Sequence, residues 1–170
     1  MQRLLDIKKG FLKDRDALFA DYNGKTDAFV FSKNYSVLIE DTIRIILADK
    51  KFSFTLASAG SFSRRELSPF SDIDLMIISE SIEKDSTEIS ELITNLWDGG
   101  IEASHTVREI SDIQKFLSSD LHAFTQFFET RFIGGNLNLY NNWNDELLNS
   151  IDDKSTKILI TEFVEDVRQR

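Results

Sequence analysis

The 170-residue chain contains no cysteine. That excludes a disulfide framework, a zinc–thiolate site and a thiol nucleophile. Its two histidines, His105 and His122, stand far apart in sequence and make a poor metal pair. No apolar run approaches the roughly 20 residues that a membrane span requires. The segment from Met1 to Lys13 mixes charged and apolar residues at helical spacing and lacks the apolar block of a signal peptide. A soluble cytoplasmic protein without a membrane partner is therefore expected. Basic charge is also scarce, with 20 Lys and Arg against 29 Asp and Glu and a formal net charge of -9. This works against generic nucleic-acid binding, which relies on basic patches and released counterions, so nucleic acid is not an expected partner. A local basic cleft can still sit on an acidic body.

What is present is ordinary globular composition, 41% hydrophobic and 29% charged, in a chain long enough to bury a core without staples. The 14 Phe beside 3 Tyr and 2 Trp point to a well-filled interior, because Phe has no polar handle that must find a partner when buried.

Periodicity predicts a helix over Met1 to Ala20, a turn at Asn23-Gly24 and a second helix over Lys33 to Ala48. Phe52 to Ala57 reads as a short strand. Gly60 to Ser71 is rich in Gly and Ser, holds the only proline, Pro69, and forms the longest irregular stretch near the middle of the chain. Ile73 to Ser79 is an apolar run of strand length. Asp85 to Trp97 has a helical apolar face and ends at Gly99-Gly100. Ile101 to Arg108 alternates with the period of a strand, with Ile101, Ala103, His105 and Val107 on one side. From Ser111 onward the pattern predicts helices only, over Ser111 to Leu117, Leu121 to Ile133, Trp143 to Ile151 and Thr156 to Arg170. The expected architecture is an α/β (α+β) core, a small mixed sheet with crossovers flanked by helices. Residues 1–110 form that core with its N-terminal helices, and residues 111–170 a helical C-terminal portion packed on it.

The chemistry concentrates between Gly60 and Ile78. On a strand, residues two apart face the same way, so Asp72 and Asp74 share a side while Ile73 and Leu75 point into the core. Two carboxylates held 4 Å apart repel by roughly 4 kcal/mol at an effective dielectric near 20. A bare pair would respond by protonating one member. A divalent cation removes the conflict, and hard oxygen ligands suit Mg²⁺ (or Mn²⁺), which is often held by one or two carboxylates together with substrate phosphates. At Gly60-Ser61, glycine lets the backbone approach a ligand closely, and the following N–H groups with the Ser61 hydroxyl can bind phosphate oxygens.

Gly-Ser, ten intervening residues and Asp-x-Asp in an apolar strand resemble the signature of the DNA polymerase β nucleotidyltransferase superfamily. Arg64-x-Glu66-Leu67-x-Pro69-x-Ser71-Asp72-Ile73-Asp74-Leu75 is similar to the N-terminal nucleotidyltransferase domain of bacterial PII-protein uridylyltransferases. Two further blocks fit in order. One is Leu96-Trp97-Asp98-x-Gly100-Ile101-Glu102 with His105-x-Val107-Arg108; the other is Asp120-Leu121 through Thr125, Glu129-x-Arg131 and Gly135. The resemblance implies transfer of a nucleoside monophosphate from a nucleoside triphosphate to a protein or small-molecule acceptor, by in-line displacement between two metal ions. It makes Asp72 and Asp74 the catalytic metal ligands and calls for a third carboxylate, for which Glu102 is the choice and Asp98 the competitor. Gly60 and Ser61 would bind the triphosphate, and Arg64 and Arg131 are candidate nucleotide-binding cations. The chain departs from the family pattern with serine at 61, 63 and 104, where glycine is common, and at 68, where histidine is. The family's HD hydrolase and ACT sensor motifs are not assigned to this chain.

Blander readings stand beside these. Arg64 and Arg65 fit a surface pair, His105 a satisfied core histidine, Phe62 and Trp97 packing, and Glu129 with Arg131 a buried helix pair. The acidic run Glu80 to Glu91 fits a solvated helix face. The alternative function is a catalytically silent nucleotide-binding regulatory module. A structural interaction domain with a vestigial site is the third reading.

Overall fold

The computed structural model describes residues 2–22, 27–48, 50–119 and 126–151, together with 156–157, 160–161, 164–165 and 168. In chain order the elements are α1 (Gln2–Asp21), α2 (Ala28–Leu47), β1 (Thr55–Ala59), the short α3 (Gly60–Ser63), β2 (Ile73–Ser79), α4 (Ile82–Asp98), β3 (Ala103–Glu109), α5 (Asp112–Ser119), β4 (Thr130–Gly135) and α6 (Leu137–Asn149). The four strands form one mixed sheet in the order β3-β2-β1-β4. Strand β1 pairs antiparallel with both β2 and β4, whereas β2 and β3 run parallel. A parallel neighbour requires a crossover, and α4 supplies it. Among the described residues no helix is long and apolar enough to cross a membrane.

Helices cover the sheet on both faces, so its central strands are apolar on both sides rather than alternating. Every residue of β1 is buried, as is every residue of β2 except Asp74. On one face Leu56, Ile73, Leu75 and Ile77 pack with Phe11 of α1, Ile39 and Ile43 of α2 and Leu92 and Leu96 of α4. On the other, Ala59, Met76 and Ile78 meet Ile113 of α5, Phe127 and Leu139, Trp143 and Leu147 of α6. Burying each large side chain contributes about 1.5–3 kcal/mol, and this double-sided burial fixes the register of β2.

The mixed sheet flanked by helices is the expected one; the all-helical reading after Ser111 is not. Thr130-Arg131-Phe132-Ile133-Gly134-Gly135, expected largely within a helix over Leu121 to Ile133, forms β4 and pairs with β1. Strand β4 is possible because Gly135 takes φ +93°, where a Cβ would lie 2.3 Å from the Phe54 carbonyl oxygen. Residues 121–125 of that expected helix lie outside the described residues, as do Asn23-Gly24 of the predicted turn. The next helix starts earlier than expected, at Leu137, because the Asn136 side chain caps it by accepting from the Leu139 amide. Of the expected helix over Thr156 to Arg170, the described positions are helical. The acidic run is not wholly solvated either. Asp85 is buried and accepts hydrogen bonds from Ser53 Oγ at 2.7 Å and Ser79 Oγ at 2.6 Å.

Candidate active site

Strand β2 is set by its apolar residues, and Asp74 is the position where its burial breaks. Asp74 shares the face of Met76 and Ile78, at the end of the sheet where the α5–α6 cover stops. Asp72 lies two residues earlier and is exposed. Burial, and then the Asp72 charge, raise the Asp74 carboxyl above the ordinary aspartate value. Neither aspartate has an ion-pair partner or a side-chain hydrogen bond among the described residues. A raised carboxyl with no ion pair among the described residues is what an acidic pair short of countercharge shows, and the donor chemistry fits a hard divalent ion.

The Gly60 turn faces this pair. Gly60 adopts φ +53°, and a Cβ built there would lie 3.6 Å from Asp74 Oδ2. Its amide donates to the Glu129 carbonyl at 3.0 Å, tying the turn to the start of β4. The Ser61 hydroxyl has no protein partner among the described residues. Gly60, Ser61, Arg64 and Asp74 line one cleft together with Ser104, His105 and Glu129. Arg64 is engaged there, its Nη1 donating to Glu129 at 2.6 Å and its Nε to Glu66 at 2.8 Å.

Glu102 precedes β3. The register pairs Asp74 with Ser104, so continuing it places Glu102 beside Asp72. Asp72 and Glu102 line two further clefts, one with Trp97 and Ser104 and one with Lys8, Arg15 and Tyr35 of the N-terminal helices. Ser104 borders both the first of these and the Gly60 cleft. The three carboxylates therefore occupy adjoining clefts. Among the described residues no three acidic or histidine side chains converge closely enough to enclose an ion. Asp98, the competitor of Glu102, is exposed at the last position of α4.

Arg131 is placed beneath the turn rather than in the cleft. Its Nη1 donates to Glu40 at 2.5 Å, its Nε to the Ser63 carbonyl at 3.0 Å and its Nη2 to the Phe62 carbonyl at 3.2 Å. The expected helical Glu129–Arg131 pair does not form, since the two side chains engage Arg64 and Glu40 respectively. Nor is His105 a core residue. On the edge strand β3 it is exposed, although Ala103 and Val107 on its face pack against the core. Phe62 is fully buried, as read for packing, whereas Trp97 is 54% exposed at the cleft rim.

Sequence reasoning missed Glu40. It is buried on α2 and bonded to Arg44 at 2.7 Å and Arg65 at 3.3 Å as well as to Arg131. Burial alone would raise its pKa; the hydrogen bonds and charges of Arg131 and Arg44 overturn that and hold it below the ordinary glutamate value. The only local signal was the spacing to Arg44, which any surface helix pair shares.

No family model matches the chain. The chain is similar to bifunctional uridylyltransferase/uridylyl-removing enzymes. With that of Hydrogenovibrio crunogenus it shares 39% identity over 88 residues, 52% of this chain and 10% of the relative. With that of Nitrosospira multiformis it shares 25% over 144 residues, 79% of this chain and 16% of the relative. The Neisseria meningitidis protein shares 28% over 130 residues, 74% of this chain and 15% of the relative. The chain thus spans between a tenth and a sixth of the length of these uridylyltransferases.

Proposed function

We propose that the protein transfers a nucleoside monophosphate from a nucleoside triphosphate to a protein or small-molecule acceptor, with Mg²⁺ or Mn²⁺ as cofactor. The observation that carries this is the approach of Asp74 Oδ2 to Gly60, which sets an unneutralised carboxylate pair against a turn with a free hydroxyl donor. The similarity to uridylyltransferases supports the same chemistry.

In this reading Asp72, Asp74 and Glu102 hold the cations. Bound there, the metal would neutralise phosphate charge and align the displacement. The Gly60 turn and the Ser61 hydroxyl receive phosphate oxygens. The acceptor oxygen bonds to the α-phosphorus as the bond from that phosphorus to the bridging oxygen breaks. Pyrophosphate leaves with the electron pair, and a cleft carboxylate takes the acceptor's proton. Arg64 contributes if the nucleotide displaces Glu66 or Glu129 from its guanidinium. Arg131 acts indirectly, by holding the Phe62 and Ser63 carbonyls.

A second reading, a silent nucleotide-binding regulatory module, is favoured by the prior engagement of Arg64 and by the lack of convergence of three acids among the described residues. One experiment separates the two. The protein is incubated with labelled UTP, ATP, CTP or GTP, Mg²⁺ and candidate acceptors, and pyrophosphate release is followed. Release that is lost in Asp72→Asn and Asp74→Asn supports transfer. Metal-dependent binding without turnover supports the silent module, and equal behaviour of wild type and both variants removes the aspartates from the chemistry.

A further inference from the structure

We infer that the cleft between α1 and the Asp72–Glu102 edge receives an anionic group of the acceptor, a carboxylate or a phosphate, through Lys8 and Arg15; this rests on the nucleotidyl-transfer reading above. In-line displacement needs the nucleophile and the leaving group on opposite sides of the phosphorus. With the phosphates lodged at the Gly60 turn, the acceptor enters from the other side of the aspartates. That side is floored by Asp72 and Glu102 and walled by α1.

The wall is built for charge. Lys8 and Arg15 are seven residues apart, two helical turns and about 10.5 Å along one face. Phe11 lies between them and is 5% exposed, anchoring that face in the core. The Lys8 stem lies across Gly100, where a Cβ would stand 3.1 Å from Lys8 Cγ, and Gly100 takes φ +91°. A packed stem with its head at the cleft is the way a lysine presents a positioned ammonium. Lys8 is half-buried and has no ion-pair partner among the described residues. It forms no ion pair with Asp72 or Glu102, which line the same cleft. Among the described residues Arg15 pairs only with its neighbour Asp16, an exposed contact of 2.8 Å that a ligand can displace at little cost.

Once cations occupy the carboxylates, the uncompensated charge of this cleft is that of Lys8 and Arg15. Its volume of about 240 Å³ lies below the roughly 300–1,000 Å³ of sites for drug-sized ligands. It suits one small charged group beside a hydroxyl rather than a nucleobase.

Three probes with one three-carbon skeleton test this: glycerate, glycerol 3-phosphate and glycerol. Backbone amide shifts of Gly100 and Glu102 are followed by NMR during titration, with and without Mg²⁺, and Mg²⁺-nucleotide binding is measured separately by calorimetry. One or both anions should give saturable shifts that glycerol does not, and the two arms distinguish a carboxylate from a phosphate site. Lys8→Met and Arg15→Met should each weaken anion binding at least tenfold, with nucleotide affinity and melting temperature unchanged, and Lys8→Arg should retain binding. Equal shifts with glycerol, anion binding indifferent to both variants, or an equal loss of nucleotide affinity would overturn the assignment. Lys8-dependent anion binding without any nucleotide binding would uphold the anion site and sink the transfer reading instead. Nucleotide binding without anion binding would overturn the anion site and leave the transfer reading to the turnover assay.

Discussion

Glu40 on α2 and Arg131 on β4, 91 positions apart in the chain, meet in a charge-assisted hydrogen bond beneath the Gly60 turn. The glutamate is 4% exposed, and Arg131 also donates from Nε to the Ser63 carbonyl and from Nη2 to the Phe62 carbonyl. One carboxylate therefore connects a helix, a strand and the C-terminal end of the Gly60 turn, so its removal should be felt in stability and at that turn.

Glu40→Gln keeps the shape and removes the charge. Breaking a buried pair costs about 3–5 kcal/mol, and the partial exposure of the arginines puts the expected loss near the lower end. For a chain of this size 1 kcal/mol corresponds to roughly 2–4 °C, so thermal melting should fall by about 6–12 °C. Glu40 has a lowered folded pKa, so its contribution is present above the ordinary carboxylate range and lost as pH falls through the folded value. The gap between wild type and variant should therefore close in acid. A gap that persists unchanged at low pH would show that the pair is not its source.

Gly60→Ala probes the turn. The residue sits at φ +53°, which costs a side chain about 1–2 kcal/mol, but the new Cβ would meet Asp74 Oδ2 at an ordinary 3.6 Å. The variant should fold with a small loss of stability and fill the space that a phosphate oxygen would take. Calorimetry should show Mg²⁺-nucleotide affinity falling more than tenfold. Undiminished affinity would place the nucleotide elsewhere.

Asp74→Asn should stabilise the metal-free protein at neutral pH. The folded pKa of Asp74 is raised, so ionisation is penalised in the folded state, and stability is lost as pH rises through that value. The asparagine variant escapes the penalty, and its advantage should vanish below the ordinary aspartate pKa. Divalent cation should reverse the order at pH 7 by binding wild type alone, read as a rise in melting temperature that the variant lacks.

These expectations follow from elements of unequal legibility. Ile73 to Ser79 is an apolar run of strand length broken at Asp74, so its strand character and the outward Asp74 are legible in the sequence. The Gly60 turn and Asp72 were legible by spacing. Strand β4 was not, because Phe127, Phe128, Phe132 and Ile133 recur at helical spacing and two glycines close the segment. Only pairing with β1, 70 to 80 positions away, makes it a strand. Glu40 was hidden for the same reason, since its decisive partner is remote in sequence. Lys8 does not stand out in the sequence, because nothing in its own helix marks the turn at Gly100 that brings it to the cleft.

Asp85 offers a control on the opposite end of β2. Within an acidic run it passes for a solvated residue, yet it is 9% exposed and accepts from Ser53 and Ser79, while the Ser79 hydroxyl also accepts from the Ser81 amide. It thereby staples the first turn of α4 to the segment before β1 and to the last residue of β2. Removing the acceptor leaves two hydroxyl protons without one, and each unpaired buried polar group costs about 1–3 kcal/mol. Ser53 is itself exposed and can turn to water, so the Ser79 side should dominate. Asp85→Ala should then lose about 2 kcal/mol, Asp85→Asn less because an acceptor oxygen remains, and Ser79→Ala in the Asp85→Ala background should cost little more. Ser79 is five residues beyond Asp74, roughly 17 Å along the strand, so nucleotide affinity should stay within about twofold while stability falls. A large loss of affinity in Asp85→Ala would mean that the two ends of β2 are coupled, and that destabilisation alone accounts for part of any effect assigned to the Gly60 turn.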